Sequence, residues 1–137
     1  MTRIPSHFGS RAIEEDEIKF STQHFVFLSQ PQPILNHSGI LIPKRYVTTP
    51  FDLTEEEWAD LRHALIRARS QIEENCTPDG YNIGWNVGIV AGQEVDHLHL
   101  HIIPRFADEP MAGKGIRAHI KTEQNKRPVE GSTAVYK

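Results

Sequence analysis

Apolar runs alternate along this chain with breaks marked by proline and glycine, and the breaks leave short extended segments around one long amphipathic stretch. His24-Phe25-Val26-Phe27-Leu28 reads as a buried strand. Gln30-Pro31-Gln32-Pro33 ends it, because proline has no N–H to give a sheet ladder. Ile40-Leu41-Ile42 follows Ser38-Gly39 and stops at Pro43, so the two runs predict an antiparallel pair. Residues 54–74 predict the main helix. Thr54 with Glu57 three residues on forms a capping box. Trp58, Leu61, Leu65, Ala68 and Ile72 then recur at spacings of three and four, as one apolar stripe. Pro78-Asp79-Gly80 is a turn. Residues 81–88 alternate as a strand whose glycines signal close backbone approach or a bulge. Ala91-Gly92-Gln93-Glu94 is a loop, and residues 95–103 predict a further strand, stopped by Pro104-Arg105. Residues 1–20 read as polar and irregular, with the acidic run Glu14 to Glu17 on a solvated surface. The order strand, strand, helix, strand, strand with short connections predicts an α+β fold on an antiparallel sheet.

The 137 residues fit one domain, 1–137, with 24–105 as its core and 106–137 as an irregular tail. Hydrophobic residues at 38% supply a real core. Lys plus Arg is 15 against 18 Asp plus Glu, a net charge of −3. That balance argues against a general nucleic-acid partner, yet it leaves room for a local positive pocket that takes a small phosphorylated ligand. The single cysteine, Cys76, excludes an intramolecular disulfide framework and a Cys-based zinc site. No apolar run approaches the ~18–20 residues that span a bilayer, and the N-terminus has no apolar signal-peptide core. A cytoplasmic location with no membrane partner is the expectation.

One segment carries chemistry: His97-Leu98-His99-Leu100-His101-Ile102-Ile103. In a strand, side chains alternate between faces, so the three imidazoles share one face and Leu98, Leu100 and Ile102 the other. The row extends ~13 Å at ~3.3 Å per residue. Two uses compete. A metal could take imidazole nitrogens at about 2.0–2.1 Å. The outer pair converges on one ion only with difficulty, and only Glu94 and Asp96 are adjacent. Alternatively, a neutral imidazole whose other nitrogen is held by an acceptor can attack phosphorus, and its neighbours can hold or shuttle the leaving group's proton. The row suits this second use better.

His-φ-His-φ-His-φ-φ, with φ apolar, resembles the signature of the histidine triad (HIT) family of nucleotide hydrolases and transferases. The segments Ile40 to Arg45, Pro78 to Gly84, Asn86-x-Gly88, Ala91-Gly92-Gln93 and Ile103-Pro104-Arg105 resemble family segments in the family's order. The resemblance covers residues 24–105 and is greatest to the small bacterial branch similar to diadenosine-polyphosphate hydrolases. It implies a sheet of about five antiparallel strands with one long helix and a short one packed on it, and a two-fold homodimer. It also implies roles. His99 would be the nucleophile on the α-phosphate, with His97 and His101 flanking it. Asn86 would hydrogen-bond the phosphate side, and Gln93 would border the leaving group. A nucleoside would lie between the first hairpin and the helix edge, walled by Phe27 and Ile42. Taken alone, Asn86 and Gln93 read as turn amides. For Trp85, core or dimer packing fits better than base stacking.

Three positions depart from the pattern. The family's fourth histidine stands five residues before the proline of the Ile-Pro-Lys segment. Here that residue is Ser38, with His37 beside it, so either could occupy the place. After Gln93 the family has Ser or Thr, and here stands Glu94, which would repel phosphate if turned inward and otherwise faces solvent or a cationic group. The ribose contact falls on Gln30. The expected activity is hydrolysis or nucleotidyl transfer on dinucleoside polyphosphates or nucleoside phosphoramidates. No cofactor is expected, and Mg²⁺ would come with a polyphosphate. A non-catalytic nucleotide-binding protein, with turnover spoiled by Ser38 and Glu94, and a metal-binding strand protein are the rival readings.

Overall fold

The computed structural model describes residues 3–30 and 32–128. Pro31 and residues 129–137 of the tail lie outside them. Five strands make the main sheet: β3 (Ile18–Ser21), β4 (Phe25–Ser29), β5 (Gly39–Pro43), β6 (Gly80–Trp85) and β7 (Leu100–Arg105). They lie in the order β3-β4-β5-β7-β6 with every neighbouring pair antiparallel. The predicted pair is β4–β5, in register from Phe25↔Pro43 to Ser29↔Gly39.

The helix α1 spans Glu55–Glu73. Its N-terminus is built as the sequence predicts: the Glu57 N–H donates to Thr54 Oγ1 (3.1 Å), and the Thr54 N–H to the Glu57 carboxylate (2.9 Å). The buried stripe is turned by one residue from the apolar pattern. It comprises Glu57, Leu61, Ala64, Ala68 and Ile72, whereas Trp58 is exposed and stands edge-on to Trp85. Glu57 is buried because Arg45 donates to both its oxygens, at 2.7 and 3.1 Å. That pairing holds the Glu57 carboxyl below its ordinary range. The short helix expected beside α1 takes the form of single 3-10 turns, of which Pro50–Asp52 leads into it.

Strand alternation sorts the sheet's side chains into two cores. Phe20, Phe25, Phe27, Leu41, Leu98, Leu100 and Ile102 pack with α1 on one face. Val26, Leu28, Ile40 and Ile42 pack on the other face with Phe8. Phe8 belongs to a segment that composition alone marks as irregular. It lies on a two-stranded hairpin, β1 (His7–Phe8) with β2 (Arg11–Ala12), laid on the second face. The acidic run is not merely solvated either. Glu17 accepts from Arg11 (2.7 Å) and from the Glu14 N–H (2.8 Å), so it closes the turn into β3.

Two predicted strand limits also move. The third expected strand ends at Trp85, three residues before Gly88. The last begins at Leu100 rather than Val95 and runs through Pro104 to Arg105. Pro104 is tolerated because β5 pairs with β7 only across residues 100–102, so no β5 carbonyl waits for its missing N–H.

Gly39 has no room for a side chain: a Cβ there would meet the Phe27 ring at 2.5 Å and the Leu28 carbonyl at 2.8 Å. At Gly80 a Cβ would meet nothing within 4 Å. Gly39→Ala should therefore lower unfolding free energy by about 1–3 kcal/mol in urea titration. Gly80→Ala should leave it nearly unchanged, and equal effects at both positions would refute this packing account.

Candidate active site

The chain enters β7 through an extended segment that is outside the sheet ladder. The Leu98 N–H donates to the Val47 carbonyl (2.8 Å) and not to β5. Alternation nevertheless persists through it. Leu98, Leu100 and Ile102 are 1–3% exposed on the helix side. Ile40 lies opposite His101 in the ladder, which puts His101 on the second face with Ile40 and Phe8.

Each imidazole has a distinct setting. His97 is 5% exposed, and its Nε2 lies 2.7 Å from the Pro43 carbonyl. A carbonyl only accepts, so Nε2 carries the proton. His99 is 8% exposed and its Nδ1 lies 2.9 Å from the His97 carbonyl. By the same logic Nδ1 of His99 carries a proton, so that in the neutral ring the bare lone pair is the one at Nε2. His101 makes no hydrogen bond with a described residue, and its ring stands T-shaped to that of His99 with centroids 4.9 Å apart. Burial lowers the affinity of His97 and His101 for protons below the ordinary 6.5, and the neighbouring His99 adds to this. Both are therefore neutral near pH 7.

Phe8 meets His99 edge-on at 4.9 Å between centroids, and Tyr46 meets His97 at 5.6 Å. Neither residue is among the sequence candidates. The signal for Phe8 is its isolation, one aromatic between polar neighbours at His7 and Gly9. For Tyr46 the sequence offers none.

The loop before the triad is held by backbone turns. Gly88 and Gly92 adopt φ of 89° and 95°, a region that side chains rarely enter. Gln93 staples the loop. Its side-chain oxygen accepts the Gly88 N–H (2.8 Å), and its amide donates to the Thr48 and Asp96 carbonyls (3.0 and 3.2 Å). Asn86 is exposed at the mouth of this loop, against Gly92. Glu94 is exposed and has no bonded partner among the described residues.

Other candidates divide between the faces. Ile42 lies beneath the triad side, in the cluster that contains Phe8. Phe27 does not: it alternates with Val26 and Leu28 and is buried against α1, so it walls nothing on the triad face. Because α1 covers the opposite face, the helix edge does not border the triad either. Gln30 donates its N–H to the Ser38 carbonyl (3.1 Å) just past the β4–β5 ladder, two residues on from Leu28. Ser38, two residues before Ile40, is buried and its hydroxyl has no hydrogen-bond partner among the described residues. His37 adopts φ of 67° and, together with Ser38, lines a hollow with Lys19, Gln71 and Asn75. Trp85 packs against the helix-side core. Among the described residues no group of three or more His, Cys, Asp or Glu could hold a metal ion.

The HIT domain family matches residues 12–108. The chain is 35% identical over 125 residues to a bis(5'-adenosyl)-triphosphatase of Dictyostelium discoideum, covering 91% of this chain and 84% of that one. It is 34% identical over 119 residues to Protein hit of Bacillus subtilis, covering 87% and 75%. Among solved structures, Plasmodium falciparum diadenosine triphosphate hydrolase in complex with cyclomarin A superposes with a TM-score of 0.63 at 28% identity, over 75% of this chain and 70% of that one.

The buried imidazoles make stability depend on pH. Because His97 and His101 bind protons below 6.5 when folded, the unfolded chain takes up protons that the folded one refuses. Their contribution is fully present above pH 6.5 and declines as pH falls below it. Glu57 adds a second loss only as pH falls below 4.5. Urea unfolding between about pH 7.5 and 5 should show stability falling on the acid side, with a flatter slope in the His97→Gln/His101→Gln double variant. An unchanged slope in that variant would count against this assignment.

Proposed function

The chain belongs to the HIT family, and we propose that it is a nucleotide hydrolase that acts at an α-phosphate through a covalent nucleotidyl intermediate on His99. One observation carries this reading: the His99 Nδ1–H is held on the His97 carbonyl, leaving Nε2 unprotonated beside the unengaged ring of His101. The names of the relatives, a bis(5'-adenosyl)-triphosphatase among them, support the substrate class.

In the first step the Nε2 lone pair attacks the α-phosphorus and the bond to the leaving group breaks. The leaving group departs with that electron pair, a phosphate as its anion and an amine as the neutral amine after taking up a proton from solvent, and His99 becomes a phosphorylated imidazolium whose Nδ1–H still points at the His97 carbonyl. In the second step water attacks phosphorus and neutral His101 takes a proton from it. The P–N bond breaks back to His99, which releases a nucleoside monophosphate. His97 positions the nucleophile and does not itself touch the reacting atoms, since Nε2 is committed to Pro43. Phe8, edge-on to His99, would be the apolar side against which a base lies. Asn86, exposed at the loop mouth, would bind phosphate, and Gln30 the ribose. Ser38 supports a second reading: a hydroxyl in the fourth-histidine place could leave a binding protein without turnover.

We further propose a two-fold homodimer joined along β6, one of the two outer strands of the sheet. No resident metal is needed, because the imidazoles supply nucleophile and proton acceptor; Mg²⁺ would come with a polyphosphate. Among the described residues no helix is long and apolar enough to cross a membrane, and a cytoplasmic location is proposed.

His99→Ala should abolish turnover of a dinucleoside polyphosphate or a nucleoside phosphoramidate while nucleotide binding stays nearly intact. Loss of a covalent route commonly amounts to several orders of magnitude, each tenfold being about 1.4 kcal/mol of barrier. Activity within about tenfold of the parent would defeat the assignment. In the same assay, phosphoramidate hydrolysis should survive EDTA. Its loss with chelator and return with zinc would favour a metal mechanism. Binding by the parent without any product would favour the second reading.

A further inference from the structure

The family match ends at residue 108, yet the chain beyond it is built onto the triad face. Arg105, the last residue of β7, ties it down. Its guanidinium donates to the carbonyls of Lys114 (2.7 Å) and Met111 (3.1 Å) and to the side-chain oxygen of Asn82, and its Nε donates to Glu109 (2.9 Å). Ile116 then lies over β6. A Cβ placed on Gly84 would be 3.6 Å from Ile116 Cδ1. Gly84 lies directly opposite His101 in the β6–β7 ladder, and residues directly opposite one another share a face. Ile116 is therefore on the triad face, one strand over from His101.

What this contact brings along is positive. Residues 110–122 contain Lys114, Arg117, His119 and Lys121 and no carboxylate, in a chain of net charge −3. The side chains of Arg117 and Lys121 have no ion pair or hydrogen bond with a described residue, and with Asn82 and Ile116 they line an open hollow of about 430 Å³. Asn82 lies opposite Ile103, so it shares the triad's face with Gly84. The triad thus lies between two coverings of different chemistry. Phe8 with its apolar cluster is on the β4–β5 side, and the cations Arg117 and Lys121, without a counter-charge among the described residues, are on the β6 side.

We propose that residues 110–122 form an anion-binding arm of the triad site, in which Arg117 and Lys121 take the phosphates beyond the one attacked by His99. This rests on the nucleotide-hydrolase reading and narrows it to substrates with a polyphosphate chain, dinucleoside polyphosphates above nucleoside phosphoramidates. An exposed pair of cations attracts the several charges of a polyphosphate far more than the single phosphate of a mononucleotide. It does so through a field that salt screens over about 10 Å at 0.1 M.

The test is calorimetric binding to the full chain of two ligands: a methylene-bridged dinucleoside polyphosphate, which is not hydrolysed, and a nucleoside monophosphate. The Arg117→Gln/Lys121→Gln variant should bind the polyphosphate at least about tenfold more weakly, a change of about 1.4 kcal/mol, with reduced salt dependence. Its affinity for the monophosphate should change less than about twofold. Ile116→Gly, which frees the arm from Gly84, should reproduce the selective loss. Arg62→Gln, which removes an exposed cation from α1, should change neither affinity. Equal weakening of both ligands, or no change in either, would overturn the arm while leaving the hydrolase reading in place. A parent chain that binds neither ligand overturns that reading, and the arm with it.

Discussion

Residues 98–102 must satisfy two faces at once, and that requirement sets the rest. Leu98, Leu100 and Ile102 fill the core beneath α1 with Phe25, Phe27 and Leu41. Because strand side chains alternate, the residues between them have no choice of direction. A slip of one residue would drive imidazoles into the aromatic core and turn three large apolar side chains outward. The phase of the apolar set therefore aims the histidines. Ala64 and Ala68, wholly buried on α1, let the helix lie close enough to hold that phase.

The prolines at 43 and 104 belong to the same arrangement. Pro43 ends β5, and beyond the Leu41↔Leu100 pair the chain entering β7 is bonded to Val47 instead. This leaves the Pro43 carbonyl unused by the ladder on that side and available to His97. The segment that carries His97 and His99 can thus bend away from its neighbour strand while keeping strand-like alternation. Pro104 stands past the opposite end of the β5–β7 pairing, where it disturbs nothing.

Much of this could be read from residues. The capping box at Thr54, the β4–β5 pair, and the three histidines against three apolar partners are local patterns with local causes. What escaped depends on distant partners. Periodicity reports which face a side chain takes, not whether its backbone is paired, so β7 reads five residues too early. Glu57 is a core position that no apolar pattern marks, because its burial depends on Arg45 twelve residues back; Trp58 takes its apparent place. Phe8 and Ile116 are single apolar residues in polar stretches, and only the folded sheet shows that both lie over the triad face. The left-handed turn at His37 is likewise unmarked by any glycine in the sequence.

The orientation of His99 by main-chain oxygens has an electrostatic consequence. In a Ser-His-Asp relay the imidazole is oriented by a buried carboxylate, which also favours its protonation. Here both orienting groups are neutral carbonyls, Pro43 toward His97 and His97 toward His99. No described carboxylate is hydrogen-bonded to any of the three rings. An anion approaching this face therefore meets peptide dipoles rather than a fixed negative charge. The field on this face is left to be set by whatever cations border it.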